Sequence, residues 1–553
     1  DNYFDAYRQL PNDREQTKTW FFTDRSIYRP GQTLHFKGIS LKRIGNEAWQ
    51  TSRNSVTTVR LFDANGRELS SKTFTTNEFG SFEGSFEIAP GLLTGTMRIG
   101  NESGSGNFLL EEYKRPTFEV SLKAAEKQYK LNQTIEVEGT AKAFSGYGID
   151  SSLVNYRVEA RRWYPFRVYG YWFPPFAETN VLLTSGQTYT RRDGTFSINF
   201  EASAATNEKS RLTPVYTYVV TADVVDKNGE TRSGTTEISV SDKALILSTN
   251  LGEVVNQNKL AACEVKAANL QQMPVATQLT INIYRIEVKD RLLRKPLWEA
   301  VDRQFLSDEK LAALFPYDDF GLKNDSTQRK RTPVWSGQKH LVGAGSLFPT
   351  EAAQWPEGEY LAVFEATDAY GSKVQHEQEF VFYKPNSKNM PVRQLSWFQL
   401  SRQSAQPGDT VHFSVGSAEK ANRVLIEIRN NDSVFYHKWH TISNRLRTIP
   451  FVLGEAHRGS LRFEAFFVRH NSLQHAAYDL EVPWTNKKLD IRIETKRDQL
   501  LPGTTETWTV SVKDFKGKGE KTEVLAAMYD ASLDAFAAHN WQFDVLPYAI
   551  PPQ

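Results

Sequence analysis

The stretch Thr23-Asp24-Arg25-Ser26-Ile27-Tyr28-Arg29-Pro30-Gly31-Gln32-Thr33-Leu34-His35-Phe36-Lys37-Gly38 decides the fold class of this chain. Pro30 fixes φ for the first central position of a turn, and Gly31 tolerates the positive φ of the next position. After the turn, apolar side chains alternate with polar ones, namely Leu34 and Phe36 against Thr33, His35 and Lys37. Because successive side chains of a strand point to opposite faces, the stretch predicts a hairpin with one apolar and one solvated face.

This turn recurs further along the chain, each time at the start of a strand-like alternation. Residues 131–137 repeat the pattern with Asn in place of Gly, residues 407–413 repeat it with Pro-Gly, and residues 502–505 begin it again. The first two copies lie about a hundred residues apart, and so do the last two, which is a common domain size. Short strand signals with turns between them fill the remaining sequence. The repeat therefore predicts a string of similar β-sandwich domains.

Composition limits the classes of function. The chain has 553 residues, too many for one hydrophobic core, and its 39% of hydrophobic residues is enough for packed domains. No apolar run reaches the roughly 18 residues of a transmembrane helix. A net charge of +2 gives no electrostatic case for nucleic acid as a partner. The single cysteine excludes an intramolecular disulfide framework and a cysteine-rich zinc site.

Breaks in the strand pattern divide the chain into five predicted units. Residues 111–120 join the first unit to the second, and Pro116 interrupts the ladder there, as expected at a boundary. The last unit is shorter than the others, and we expect it to lack strands that lie further along the polypeptide. The units are residues 1–115 with an N-terminal lead-in, 116–241, 242–385, 386–485 and 486–553.

Two of these units contain departures from the strand pattern. In the third, Ser307 is expected to cap a short helix that Pro316 ends, and the polar residues through Thr332 are expected to form an exposed insertion with a solvated basic run. In the last unit we predict strands at residues 489–495, 505–512 and 523–527, followed by a short helix at 532–538.

Three segments resemble the bacterial members of the alpha-2-macroglobulin family. Phe22-Thr23-Asp24-Arg25-Ser26-Ile27-Tyr28-Arg29-Pro30-Gly31-Gln32 resembles the opening of the family's second macroglobulin domain. Glu111-Glu112-Tyr113-Lys114-Arg115-Pro116-Thr117-Phe118-Glu119-Val120 is similar to the linker between its second and third domains. Leu525-Ala526-Ala527-Met528-Tyr529-Asp530-Ala531-Ser532-Leu533 is similar to the strand and short helix of its sixth domain.

The resemblance implies a fold. The chain would be a fragment spanning the second to sixth macroglobulin-type domains. The expected fold class is all-β, a tandem array of about five immunoglobulin-like macroglobulin sandwiches with a short helical insertion in the third. The last sandwich, residues 486–553, would be incomplete and would precede a bait region.

The resemblance also implies a function. Family members are large endopeptidase inhibitors that collapse around a protease after it cleaves an exposed bait segment. We therefore expect the scaffold portion of an envelope or secreted bacterial inhibitor, with no enzymatic activity and no cofactor. Its expected partners are proteases, through a bait region outside this chain near or beyond residue 540, and the remaining domains of the same polypeptide. The chain opens at Asp1 without Met or a signal peptide, so we expect a piece of a longer protein, with membrane tethering by a missing N-terminal anchor left open.

Many members carry a thioester formed by the Cys and Gln of a Cys-Gly-Glu-Gln motif. The single cysteine of this chain stands in Ala262-Cys263-Glu264-Val265, which lacks both the Gly and the Gln. We predict that Cys263 faces inward on a strand at residues 260–265 as a buried structural thiol. No thioester is expected in this chain.

Catalytic patterns give no candidate residues. Residues 376–380 begin like the zinc motif His-Glu-x-x-His but end in Phe380, and in a strand two such ligands would not share a face. The sequence has no Gly-x-Ser-x-Gly elbow, and its His residues lack metal-ligand spacing. Asp318 and Asp319 are interpreted as a polar loop. We predict no catalytic, cofactor-binding or metal-binding residue.

One aromatic segment between residues 161 and 176 is a candidate surface. Its Pro and Gly residues oppose a long strand, yet it is too apolar for an ordinary exposed loop. An interdomain seal is the favoured interpretation, and a docking surface for a protease, an envelope partner or a sugar ring is the alternative. The candidate residues are Trp163, Tyr164, Phe166, Tyr169, Tyr171, Trp172 and Phe173.

A rival from another class stays open at this point. Repeated sandwiches would equally suit a non-inhibitory surface adhesin or a glycan- or protein-binding scaffold. A hydrolase is disfavoured because no nucleophile–base set is found in the sequence.

Overall fold

The repeated turn of the sequence builds the same local structure three times. The computed structural model describes residues 15–44, 49–113, 117–123, 129–163, 180–203, 215–287, 292–294, 305–318, 329–385, 387–430, 433–494 and 503–546. In each copy the residue with positive φ donates its N–H to a carbonyl on the returning chain: Gly31 to Ile88 at 2.8 Å, Asn132 to Ala202 at 2.9 Å, and Gly408 to Leu453 at 2.8 Å. Their φ angles are 84°, 64° and 95°, which only Gly and Asn adopt readily.

The first sandwich closes a core between two sheets. One sheet is ordered β1-β3-β4 with β7 also paired to β3, and the other is ordered β2-β9-β8-β5-β6. Leu34 and Phe36 of the first sheet pack against Val59 and Ile99 of the second. The strands are β1 (Glu15–Thr23), β2 (Ile27–Tyr28), β3 (Thr33–Ile44), β4 (Gln50–Thr51), β5 (Val56–Phe62), β6 (Glu68–Thr75), β7 (Ser81–Glu87), β8 (Gly95–Asn101) and β9 (Gly104–Leu110).

The opening stretch is not a hairpin, as the sequence had predicted. β2 pairs in parallel with β9, whereas β3 pairs with β1 and β7, so the Pro-Gly turn carries the chain from one sheet to the other. The prediction failed because a turn residue with positive φ serves an arch between sheets as well as a hairpin. The inward alternation of Leu34 and Phe36 is confirmed.

The second sandwich has the same plan. Its sheets are ordered β10-β11-β14 and β13-β12-β15-β16, and Tyr218 lies in the core between them. The turn at residues 226–229 joins β15 to β16, with the Gly229 N–H donating to Asp226 O at 3.1 Å. The strands are β10 (Phe118–Lys123), β11 (Thr134–Ala143), β12 (Leu153–Trp163), β13 (Val181–Tyr189), β14 (Thr195–Glu201), β15 (Val215–Val225) and β16 (Thr231–Val240).

The third sandwich carries the predicted helix. Ser307 Oγ accepts the N–H of Lys310 and caps α1 (Asp308–Leu314), which confirms the helix and its cap. The sheets are ordered β17-β19-β22 and β18-β24-β23-β20-β21. The strands are β17 (Ile246–Thr249), β18 (Val254–Asn256), β19 (Glu264–Ala268), β20 (Ala276–Ile286), β21 (Arg331–Val342), β22 (Ala344–Ser346), β23 (Gly358–Thr367) and β24 (Lys373–Tyr383).

Two described residues next to the insertion of the third sandwich make specific contacts that the sequence did not predict. Arg329 forms ion pairs with Glu359 and, at 2.7 Å, with Glu379. Asp318, expected in a polar loop, is buried and bonded to Arg294. The expectation for Asp318 was wrong because a long-range ion pair leaves no local pattern in the sequence. Lys330 of the basic run is 75% exposed, as expected, and residues 319–328 lie outside the described residues.

The fourth sandwich repeats the plan once more. Its sheets are ordered β25-β26-β29 and β28-β27-β30-β31, around a core that includes Phe413 and Phe463. The strands are β25 (Trp397–Leu400), β26 (Thr410–Ser417), β27 (Asn422–Arg429), β28 (Val434–Ile442), β29 (Arg445–Val452), β30 (Gly459–Arg469) and β31 (Ser472–Val482). The array is therefore all-β, apart from α1 and short 3-10 turns.

The C-terminal region differs from the four sandwiches. β32 (Asp490–Glu494) and β33 (Thr509–Lys513) form a two-stranded sheet. The strand predicted at residues 523–527 is wrong, because these residues pair as a strand with no described part of the chain. A short helix was predicted at 532–538, and a 3-10 helix lies at Ala531–Ala535. Among the described residues, no helix is long and apolar enough to span a membrane.

Candidate functional site

The outer face of the first sandwich is apolar where solvent would be expected. Phe21 points into the sandwich core, so its neighbours Trp20 and Phe22 in β1 point to the opposite side. Both are nevertheless buried, together with Leu41 of β3. They pack against Leu525 and Val545, which lie about five hundred residues further along the chain. A distant segment therefore covers this face.

We call residues 521–546 the strap. The strap follows an exposed turn at Asp514–Lys518, contacts β3 and β7 through Glu523, forms the 3-10 helix at Ala531–Ala535, and continues to residue 546. Two grooves remain beside it, one of about 390 Å³ between residues 525–527 and β3 and one of about 530 Å³ beneath residues 538–544. The strap and the face beneath it are the candidate functional site.

A carboxylate anchors the first end of the strap. Glu523 accepts hydrogen bonds from Lys37 Nζ at 2.9 Å, Ser81 Oγ at 2.5 Å and Asn77 Nδ2 at 2.9 Å. Lys37 was expected on a solvated face, but only 8% of its side chain is exposed, because the strap covers it. Because the strap lies over Lys37, the aliphatic part of its side chain is buried and its ammonium group is paired with Glu523.

The environment of Glu523 favours its charged form. Burial, the largest influence, acts to raise the pKa of this carboxyl, but the hydrogen bonds from Ser81, Lys37 and Asn77 together lower the pKa below its ordinary value. By contrast, Lys521 and Glu78 form an exposed ion pair at 2.8 Å nearby. Glu523 is therefore the specific ionic contact of the strap, and the exposed pair contributes little.

The middle of the strap lies where the first two sandwiches meet. Leu533 is buried against Ile27 and Tyr113 of the first sandwich. The ring of Phe536 packs on Tyr113 with a centroid separation of 5.2 Å, and Arg232 of the second sandwich lies 5.5 Å from the same ring. The strap thus contacts both sandwiches through its 3-10 helix.

Aromatic side chains hold the far end of the strap. The indole N–H of Trp541 donates to Thr23 O at 2.9 Å, within the opening stretch of the chain. The Trp541 ring packs edge-on against Phe22 at 6.1 Å, and Phe543 packs against Trp20 at 5.5 Å. Edge-to-face pairs of this kind add to the energy of area burial.

This arrangement binds a segment and holds no reactive group. In the part of the chain that the structure describes, no group of three or more His, Cys, Asp or Glu could hold a metal ion. The carboxylate of Glu523 is fully engaged by donors and the aromatic rings are packed on one another. The site therefore offers non-covalent binding, which holds the C-terminal region against the first sandwich.

The structure describes only the first residue of the predicted aromatic surface, and of that residue only the backbone. The backbone of Trp163 ends β12, and nothing further of its side chain is described. Tyr164, Phe166, Tyr169, Tyr171, Trp172 and Phe173 lie outside the described residues. Their role stays a prediction.

Cys263 is buried, as predicted, but it does not lie in a strand. It ends a 3-10 helix at Gln257–Ala262, and its thiol contacts Lys259 O at 3.5 Å. Burial raises the pKa of the thiol, which disfavours the reactive thiolate. The residue borders a cleft of about 630 Å³ between the third and fourth sandwiches.

His376 lies in β24, which confirms the expectation of a strand there.

The sequence analysis missed the strap contacts. Lys37 was placed on a solvated face, and Glu523, Trp541 and Phe543 were not singled out. One signal was available, since Trp20-Phe21-Phe22 places large apolar side chains on both faces of one strand. Such a strand is covered on both sides.

Two family models match this chain. A model described as the MG2 domain matches residues 18–115, and one described as the alpha-2-macroglobulin bait region domain matches residues 395–535. The second match includes the strap as far as residue 535. The position of the bait segment itself, expected near or beyond residue 540, stays a prediction.

Two curated relatives and one solved structure are similar to parts of this chain. The chain is 25% identical over 271 residues to an alpha-2-macroglobulin of Thermotoga maritima, covering 48% of this chain and 16% of that protein. It is 24% identical over 225 residues to an alpha-2-macroglobulin homolog of Nostoc, covering 38% of this chain and 12% of that protein. Trypsin-activated alpha-2-macroglobulin from Escherichia coli has a TM-score of 0.48 and 12% identity, covering 91% of this chain and 33% of the other. The matched part is thus less than a fifth of either curated relative's length.

Proposed function

Because this chain belongs to the bacterial alpha-2-macroglobulin family, we propose that it is the scaffold portion of a protease-trapping endopeptidase inhibitor. The observation that carries the proposal is the match of the bait region domain to residues 395–535. Proteins of this family are protease inhibitors and not catalysts. The chain would hold the bait in place and would perform no chemistry itself.

The strap gives this scaffold a mechanical role. The bait region domain ends, in this chain, on a segment that is docked against the first sandwich by Glu523 and Leu533. A bait that follows or adjoins the strap would therefore be tied to both ends of the array. Cleavage of the bait would change the constraint on the first sandwich, which is what a collapsing trap needs.

The domain assignment is part of the same proposal. We assign residues 1–115, 116–241, 242–385 and 386–485 to four macroglobulin-type sandwiches and residues 486–553 to an incomplete fifth. The four pairs of sheets support the first four units. The lone sheet of β32 and β33 supports an incomplete fifth unit, whose completion would come from other parts of the same polypeptide.

Partners and location complete the proposal. The partners would be proteases that cleave the bait, and the remaining domains of the polypeptide. The location would be the cell envelope or the exterior of a bacterium, where foreign proteases are met. Tethering to a membrane through an N-terminal anchor would suit this role.

The aromatic segment at residues 163–173 is proposed as an interdomain seal, with partner docking as its alternative. Substituting Trp172 by Ser distinguishes the two. A seal predicts a lower melting temperature and lower solubility, whereas docking predicts unchanged stability. Gln187→Ser, on the exposed face of β13 in the same sandwich, is a control expected to change neither.

The trapping function is tested with the full-length polypeptide that contains this chain. A broad-specificity protease is incubated with it, and the hydrolysis of a large protein substrate is compared with that of a small peptide substrate. Trapping predicts that hydrolysis of the large substrate falls strongly while hydrolysis of the small one continues. Undiminished hydrolysis of the large substrate after the bait has been cut would contradict the proposal.

A further inference from the structure

We propose that the outer face of the first sandwich is a peptide-docking surface and that the strap binds there as a separable ligand. The docking does not depend on the proposed inhibitory function, and only its biological consequence does. The strap would stay in place after the chain is cut on its N-terminal side, and a free peptide of the same sequence would replace it.

The contacts that hold the strap come mainly from side chains. Among the described residues, no backbone-to-backbone hydrogen bond joins residues 521–529 to the first sandwich. Glu523 is held by three side-chain donors, and Trp541 by its indole N–H. One further bond runs from Ser26 Oγ to Ala537 O at 2.5 Å. A segment held in this way is bound as a peptide is bound in a groove, without being a strand of the sheet.

The surface has a definite chemistry. At one end, the buried ammonium of Lys37 with Ser81 and Asn77 selects a carboxylate. At the other end, Trp20 and Phe22 select aromatic rings. Between the two ends, Ile27 and Tyr113 select an aliphatic side chain such as Leu533. The ligand is therefore a peptide with a carboxylate, an aliphatic residue on a 3-10 turn and an aromatic pair in that order.

The first sandwich keeps its own core without the strap. Leu34, Val59 and Ile99 lie in a cluster to which no strap residue belongs. The strap is connected to β33 by an exposed turn with positive φ at Gly517, where a cut can be made without touching any of the anchors. In a protein proposed to be cut by proteases, this docking would keep the cut pieces together.

The first test cuts the whole chain at one engineered position. A recognition site for a sequence-specific protease is inserted after Lys516, the chain is cut, and size-exclusion chromatography is run at micromolar concentration. The proposal predicts that the fragment containing the strap elutes with the rest of the chain. Separate elution of an intact fragment at this concentration would overturn it.

The second test measures the chemistry of the surface with synthetic peptides, which cannot misfold as a variant protein can. A dye-labelled peptide of residues 519–546 is exchanged into the cut chain and followed by fluorescence anisotropy. Peptides carrying Glu523→Gln or Trp541→Ala are expected to bind about tenfold more weakly or worse. Lys521→Ala, which removes only the exposed pair with Glu78, is expected to change the affinity less than about twofold.

Two results would overturn the specificity of the surface. One is an equal affinity for all three variant peptides and the unchanged peptide, and the other is a failure of unlabelled peptide to compete. Neither experiment measures protease inhibition. Loss of trapping in the full-length protein would therefore leave the docking proposal intact, and loss of docking would leave the trapping proposal to its own assay.

Discussion

The four sandwiches and the C-terminal region use their apolar residues in opposite ways. Each sandwich buries them between two of its own sheets, as with Phe413 and Phe463 in the fourth. The sheet of β32 and β33 leaves Ile491, Ile493 and Val510 exposed, and the strap buries its apolar residues against another sandwich. Among the described residues, the C-terminal region therefore buries apolar side chains against the first sandwich and not between two sheets of its own.

The difference shows where the molecule can change without unfolding. Unfolding a sandwich exposes its whole hydrophobic core to water, whereas releasing the strap breaks only a few side-chain contacts. A trap needs such a low-cost element between its rigid parts. The predictions that follow test this contrast, beginning with the largest effect.

Truncation of a core ring should destabilise a sandwich far more than truncation in the C-terminal sheet. Phe463 is fully buried between the rings of Phe413 and Phe451, so Phe463→Ala should cost about 3–5 kcal/mol. Ile493→Ala, at a side chain that is 59% exposed, should cost less than about 0.5 kcal/mol. Guanidinium unfolding of both variants measures the contrast, and similar costs would remove it.

Loss of the aromatic anchor should release the strap without unfolding the first sandwich. Trp541→Ala removes the hydrogen bond to Thr23 and the packing on Phe22, worth about 1–3 kcal/mol to the strap contact. Hydrogen exchange followed by mass spectrometry should show faster exchange in residues 531–546 and unchanged exchange in β5. Trp439→Ala, on the fourth sandwich, is the matched control and should leave both segments unchanged.

The two ion pairs between the strap and the first sandwich should differ in coupling energy. A double-mutant cycle of Lys37→Met and Glu523→Gln should give about 1–2 kcal/mol, because the Lys37 ammonium is buried. The same cycle on Lys521 and Glu78 should give about 0–0.5 kcal/mol, because both side chains are exposed. Equal couplings would show that the strap does not cover Lys37.

The strap contact should weaken in acid. The pKa of Glu523 is lower in the folded protein than its ordinary value of 4.5, so its charged form stabilises the contact at neutral pH. This stabilisation is present above pH 4.5 and is lost as the pH falls through the depressed folded pKa. Tryptophan fluorescence between pH 7 and pH 3, taken as the difference between the chain and its Trp541→Phe variant because the chain has 12 Trp residues, should report the loss, and Glu523→Gln should flatten this difference curve. A curve that is the same in both proteins would refute this assignment.

Local patterns predicted the sandwiches well. The recurring turn at Gly31, Asn132 and Gly408 located β3, β11 and β26, the strand that follows it in each of three sandwiches, because a positive φ demands Gly or Asn wherever the fold repeats. The helix at α1 was predicted from its Ser307 cap for the same reason, since capping is decided within four residues.

Long-range contacts could not be predicted in this way. Glu523 and Lys37 carry no sign in their own neighbourhoods that they meet, and an alternating strand pattern placed Lys37 in solvent. The strand expected at residues 523–527 has the right composition, yet a strand also needs a partner within hydrogen-bonding distance. The candidate site was therefore beyond the reach of pattern analysis, apart from the two-sided apolar run at Trp20-Phe21-Phe22.

The docking of the strap on the first sandwich is tested most directly by zero-length crosslinking of the intact chain. A carbodiimide joins a carboxylate to an amine only where the two are in contact, and peptide mass spectrometry identifies the pair. The account predicts a crosslink between Lys37 and Glu523, whose charged atoms lie 2.9 Å apart. Lys330 and Glu287, at 2.8 Å on the third sandwich, serve as the positive control. A crosslink in the control pair without any between Lys37 and the strap would contradict the account.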